Sequence, residues 1–123
     1  MNDQNKTDDS ELVMYIVVRE EIAMSTGKTS AQVGHAVQYA LMDRYESSVP
    51  KNIAEPWMNS GSTKIVLRAS DSEFERAKRE TQHALVVRDA GRTELEPETE
   101  TALAVWPTKK SERPTILKRL RLL

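Results

Sequence analysis

Leu12–Arg19 (LVMYIVVR) constrains the fold more than any other stretch of the chain: it is apolar up to its final arginine and rich in β-branched side chains. It is short for a helix and lacks the polar alternation of a half-exposed strand. It therefore reads as a buried strand. A strand of that kind needs protein over both faces of its sheet.

The rest of the chain supplies what could cover it. From Ser30 onward Val33, Ala36, Val37, Ala40 and Leu41 recur at helical spacing, which predicts a helix capped by Thr29 or Ser30 and running to about Tyr45. Ser47–Pro50 breaks that pattern, and Pro56–Gly61 leads into a second strand, Lys64–Ala69 (KIVLRA). Ser70 or Asp71 caps a helix through about Gln82. Leu85–Arg88 is a third strand, Asp89–Gly91 a turn, and Thr101–Trp106 (TALAVW) a fourth strand. Ser111–Arg119 reads as a last short helix after Pro107. The order β-α-β-α-β-β-α predicts an α/β domain whose small mixed sheet carries helices on both faces. Strands separated by a helix should pair parallel, and the last two antiparallel.

Composition narrows the function classes. At 123 residues the chain suits one domain, here 12–123, preceded by an acidic stretch, 1–11, with no apolar pattern and the look of a disordered tail. The sequence has no cysteine, which excludes disulfides, thiolate chemistry and thiolate metal sites. Its two histidines, His35 and His83, are too far apart to read as a local metal pair, so no metal is expected. No apolar run is long enough to cross a bilayer, and no secretory start is evident, so a cytoplasmic location is expected. Residues 108–123 carry six Lys or Arg against Glu112. That basic end suits an anionic partner such as RNA, or equally a solvated helix face.

Met24–Ala36 (MSTGKTSAQVGHA) places a Gly-Lys-Thr triplet between a strand and a helix, where phosphate loops lie. A phosphate loop needs a glycine five residues before Gly27, and that position is Ile22, a β-branched residue ill suited to the curl. Nucleotide binding is set aside. Two strand ends then collect polar residues: the loop with Lys28, and Asp89-Ala90-Gly91-Arg92-Thr93. Gly91 is expected to take a positive φ and aim Asp89 and Thr93 from a tight turn. Taken alone, Asp89 and Thr93 could equally brace the turn, Lys28 could be a solvated lysine, and His35 a packed one. Gln32, His35 and Tyr39 share one side of the helix.

The strand YIVVR, then GKTSAQVGHA (against a family pattern G-K-x-A-A-Q-x-x-H-A), a tryptophan, KIVLRA and finally DAGRTELEP occur in this order. Together they resemble the peptidyl-tRNA hydrolases of the archaeal and eukaryotic type 2, from about Val13 to the C-terminus. The resemblance implies a three-layer α/β/α fold around a mixed four-stranded sheet, commonly as a homodimer. It also implies cofactor-free hydrolysis of the ester joining a peptide to the 3′ end of tRNA. By motif position Lys28, Asp89 and Thr93 match the catalytic residues, with Gln32 and His35 beside them. Arg92, Trp106, Lys109 and Lys110 are assigned to substrate binding.

The chain departs from the pattern in three places. Met24-Ser25-Thr26 stands where M-G-K is usual, Pro97-Glu98 where a Pro-Gly turn is usual, and Ala104-Val105-Trp106-Pro107 where a G-I-G-P strand end is usual. If that strand end lines the site, Trp106 stacks on the terminal adenine or fills the pocket; otherwise it reads as a core or dimer-contact tryptophan. The departures keep a second class open, a non-catalytic member that binds RNA or a protein.

Overall fold

The computed structural model describes residues 9–42, 48–92 and 94–123. The elements are β1 (Leu12–Arg19), α1 (Thr26–Leu41), α2 (Lys51–Asn59), β2 (Lys64–Ala69), α3 (Asp71–Glu80), β3 (Leu85–Arg88), β4 (Glu100–Ala104), β5 (Thr108–Lys109), α4 (Thr115–Arg119) and β6 (Arg121–Leu122).

The sheet runs β3-β4-β1-β2-β6, with β5 also on β1. β1 pairs parallel with β2 and antiparallel with β4, and β3 pairs antiparallel with β4, as the intervening helices and the closing hairpin predict. β1 is buried on both sides. Val13, Tyr15 and Val17 pack into a core with Phe74, Ala77, Ile116 and Leu117 from α3 and α4. Met14 and Ile16 pack the opposite way, against Ala36, Ala40, Ala54 and Trp57 from α1 and α2. The result is the three-layer α/β/α arrangement. The sheet has six strands rather than the expected four, because two-residue strands β5 and β6 extend it along β1 and β2.

Several boundaries differ from those expected of the sequence. α1 begins at Thr26, capped by Ser25, whose hydroxyl accepts the Lys28 N–H at 3.1 Å, and not by Thr29 or Ser30. Gly27 falls in the first turn, so the helix starts ahead of the Gly-Lys-Thr triplet rather than after it. α1 ends at Leu41 because Met42 turns extended; Tyr45 lies outside the described residues. The segment around Pro56 reads as irregular in sequence, yet α2 forms there, and Ala54 and Trp57 bury its inner face. The Trp57 indole N–H donates to the Thr63 carbonyl at 2.8 Å, and truncating such a tryptophan to alanine costs about 3–5 kcal/mol. The last helix is split: a 3-10 turn spans Lys110–Glu112, Arg113 is extended ahead of Pro114, and α4 is confined to Thr115–Arg119. β4 stops at Ala104 rather than Trp106.

Of the acidic stretch, 1–8 lies outside the described residues. Asp9 and Glu11 are joined to the body, their carbonyls accepting the N–H groups of Ser111 and Lys110 at 2.9 and 3.0 Å.

Candidate functional site

β1 and β3 point the same way, since each is antiparallel to β4 between them. Their C-terminal ends and the start of α1 therefore meet at one end of the sheet. Leu85 and Val87 face α1, and Asp89, continuing their alternation just past β3, faces it too. Gln32 lies one helical turn beyond Lys28 on α1, so both reach the same carboxylate.

The Lys28 ammonium pairs closely with Asp89 Oδ1, and Gln32 Nε2 donates to the same oxygen at 3.2 Å. The Gly91 N–H donates to Asp89 Oδ2 at 2.7 Å. Asp89 is only 4% exposed. The lysine beside it holds its carboxyl below the ordinary carboxylate value, the Gly91 N–H and Gln32 amide help, and burial opposes them. It stands ionised at neutral pH. Behind Gln32, itself 2% exposed, the wholly buried Thr101 hydroxyl donates to Gln32 Oε1.

The loop after β3 is built to hold this arrangement. Gly91 has φ +78°, as expected, and a Cβ there would lie 2.5–2.8 Å from Pro97 atoms, backbone included. Asp89 N–H donates to the Thr99 carbonyl at 2.8 Å, and Glu98 N–H to the Asp89 carbonyl at 2.7 Å. Glu98, in place of the usual glycine, is left-handed at φ +68°. Glu94 reaches across to Ser25. Its carboxyl is held below the ordinary value by the Ser25 hydroxyl and N–H.

These groups border an open cleft of about 500 Å³, lined also by His35, Tyr39 and Arg92. The His35 and Tyr39 rings are near-parallel, with centroids 6.2 Å apart. Lys28, Asp89, Gln32, His35 and Arg92 thus share one cleft. Thr93 lies outside the described residues.

Three sequence-assigned residues stand elsewhere. Trp106 stacks on His83 with ring centroids 3.8 Å apart and lines a separate depression with Gln82 and Pro114. The reason is the hairpin. Antiparallel pairing brings the residues before β4 to the end of β3, and sends those after β4 to its start, where His83 is. Trp106 therefore neither fills nor roofs the Lys28–Asp89 cleft. Lys109 pairs with Leu12, at the N-terminal end of β1, and Lys110 follows it. Both lie roughly 25 Å from Asp89 along the strand direction. Sequence reasoning missed Ser25, Glu94 and Thr101. A capping serine and a lone polar residue opening an apolar strand were signals for two of them; Glu94 carried none.

Among the described residues no group of three or more His, Asp or Glu is placed to hold a metal ion, and no helix is long and apolar enough to cross a membrane.

A family model described as peptidyl-tRNA hydrolase PTH2 matches residues 12–123. A peptidyl-tRNA hydrolase of Methanopyrus kandleri is 41% identical over 113 residues, covering 88% of this chain and 95% of that protein. One from Methanocaldococcus jannaschii is 34% identical over 115 residues, covering 89% and 98%. A probable peptidyl-tRNA hydrolase 2 of Drosophila melanogaster is 33% identical over 117 residues, covering 89% of this chain and 61% of its own length.

Proposed function

The chain belongs to the peptidyl-tRNA hydrolase PTH2 family, and from that premise we propose that its Lys28–Asp89 cleft hydrolyses the ester joining peptide to tRNA, releasing both. The observation that carries this reading is a nearly buried, ionised carboxylate tied to a lysine at the floor of an open cleft.

Ester hydrolysis needs a water aimed at the carbonyl carbon and positive charge where the oxyanion forms. An ionised carboxylate offers about four acceptor positions. Lys28, Gln32 and Gly91 donate to Asp89, and a fourth position can hold the attacking water. With its affinity for protons lowered, Asp89 orients that water and stabilises the charge developing on it, rather than removing a proton outright. Lys28 offers its cation to the oxyanion, or to the terminal phosphate. As the water adds and the carbonyl re-forms, the bond to the ribose oxygen breaks and that oxygen takes the water's proton.

Thr93 belongs to the proposal as the hydroxyl that positions the water or a ribose hydroxyl. Arg92, exposed at the rim, suits a phosphate, and the His35–Tyr39 pair offers a ring face for the terminal adenine. The proposal includes no metal or cofactor: the chain lacks cysteine, and water activation falls to Asp89 and Lys28. A cytoplasmic homodimer completes it, resting on the family resemblance and open to test by sedimentation.

The test is release of tRNA from peptidyl-tRNA by purified protein, with and without EDTA. Asp89→Asn and Lys28→Ala should each lower kcat/KM on the order of 100-fold or more. Wild-type protein that binds tRNA yet releases no peptide would replace this reading with a binding module.

A further inference from the structure

We propose that Thr101 is a positioning residue of the site, acting through Gln32 to make the amide present its N–H rather than its carbonyl oxygen to Asp89. The inference rests on the functional reading above and extends it to a residue outside the cleft.

An amide side chain is nearly symmetric in shape, so its orientation is decided by the partners at its two ends. At one end stands Asp89, an acceptor only while ionised, with Gln32 Nε2 at 3.2 Å. At the other, the Thr101 hydroxyl donates to Gln32 Oε1. Reversed, Gln32 would point an oxygen lone pair at the carboxylate. The threonine hydroxyl would then accept from Nε2 and turn its proton to the Val87 carbonyl, 3.5 Å away and already at the limit of a hydrogen bond. Gln32 and Thr101 are almost wholly buried, so water is poorly placed to make good either loss.

The backbone shows why Thr101 can do this. Val87 pairs with Ala102 but Arg88 pairs with Glu100, so β4 has one residue more than β3 at this level, and that residue is Thr101. Glu100 goes to the α3 side, where it meets Lys78 and Arg88. The bulge turns the next side chain toward α1. A regular strand would carry no hydroxyl there. The polar chain Thr101–Gln32–Asp89–Lys28 thus starts in the sheet and ends in the cleft.

The test compares wild-type protein with Thr101→Val and Thr101→Ser. Thr101→Val keeps the shape without the donor, and should lower kcat about tenfold with KM little changed. It should also move the acid limb of the pH–rate profile upward, because Asp89 loses an N–H partner. Thr101→Ser should restore both. A fold defect alone would not produce the pH shift or the serine rescue. Independently of activity, nitrogen-resolved NMR of wild-type protein should show one Gln32 Nε2 proton slow to exchange and shifting as Asp89 titrates. Wild-type protein without hydrolase activity would sink the functional reading, and the Gln32 resonance would still decide the amide's orientation. A Gln32 amide indifferent to Asp89, or a Thr101→Val protein with unchanged kcat and pH profile, overturns the proposal.

Discussion

Glu94 takes two hydrogen bonds from Ser25, the hydroxyl at 2.6 Å and the backbone N–H at 3.1 Å, so the loop after β3 is tied to the cap of α1. The same Ser25 hydroxyl accepts the Lys28 N–H. One residue thus joins the segment carrying Asp89 to the turn carrying Lys28. Ser25→Ala should lose the cap and the hydroxyl's share of the tie, its backbone N–H still donating to Glu94, and lower stability by about 1 kcal/mol. Glu94→Ala removes only the tie. Its stability should stay within about 0.5 kcal/mol of wild type, as for other exposed positions, while kcat/KM falls roughly tenfold as the two halves of the site drift apart. Denaturant curves run beside kinetics separate the two; equal stability losses in both variants would contradict this division.

Gly91 has no tolerable substitute. Alanine would combine left-handed strain, about 1–2 kcal/mol, with an approach of 2.8 Å or less to the Pro97 backbone. Gly91→Ala should therefore destabilise the protein by more than about 2 kcal/mol, or shift the loop and with it the Gly91 N–H that holds Asp89 Oδ2. Either way activity should collapse. Near-normal stability together with near-normal turnover would refute the account of this turn.

Glu98 presents the opposite case, a side chain where glycine is better suited. At φ +68° it carries left-handed strain that Glu98→Gly relieves, partly offset by greater freedom of the unfolded chain. The net gain should be about 0.5 kcal/mol, whereas Glu98→Val, β-branched, should lose about 1 kcal/mol or more. Thermal melts of the two variants should therefore move in opposite directions from wild type.

The Lys28–Asp89 pair also fixes a pH dependence. Asp89 has a folded pKa below its unfolded one, so the unfolded chain binds more protons across that interval and stability rises with pH through it. The contribution is present above the ordinary carboxylate value, about 3.9, and is lost as pH falls through the lower folded value. The stability gap between wild type and Asp89→Asn should therefore narrow in acid. In Lys28→Met the cation is gone but the burial remains, so the Asp89 carboxyl should titrate higher than in wild type. Carbon-detected NMR of Asp89 reads this directly; an unmoved titration would mean that Lys28 is not the group holding it.

Much of this is legible in the sequence. The apolar run of β1, the Ser70 capping box and the D-A-G turn each have a local cause that residue types reveal. What escapes depends on pairing. Pro56 hides α2, because only tertiary burial of Trp57 outweighs a proline in so short a helix. Trp106 reads as a neighbour of the site because chain order says nothing about which end of a hairpin a residue reaches. Thr101 reads as one more strand residue, since its direction comes from a bulge, and a bulge is a relation between two strands.

The same register changes what the basic C-terminal stretch can do. Lys109 sits opposite Leu12, far along the sheet from Asp89 and Lys28, so neither it nor Lys110 can touch the ester or the nucleotide bearing it. On a whole tRNA they can still meet phosphates remote from the acceptor end. Lys109→Ser with Lys110→Ser should leave kcat unchanged and raise KM for intact peptidyl-tRNA. The slope of log affinity against log salt should become shallower by up to about 2, one unit or slightly less for each phosphate no longer neutralised. With a substrate cut back to the terminal few nucleotides, the double variant and the wild type should have the same KM and the same salt slope. A KM difference that persists on the short substrate would put these lysines near the cleft and contradict the register that separates them.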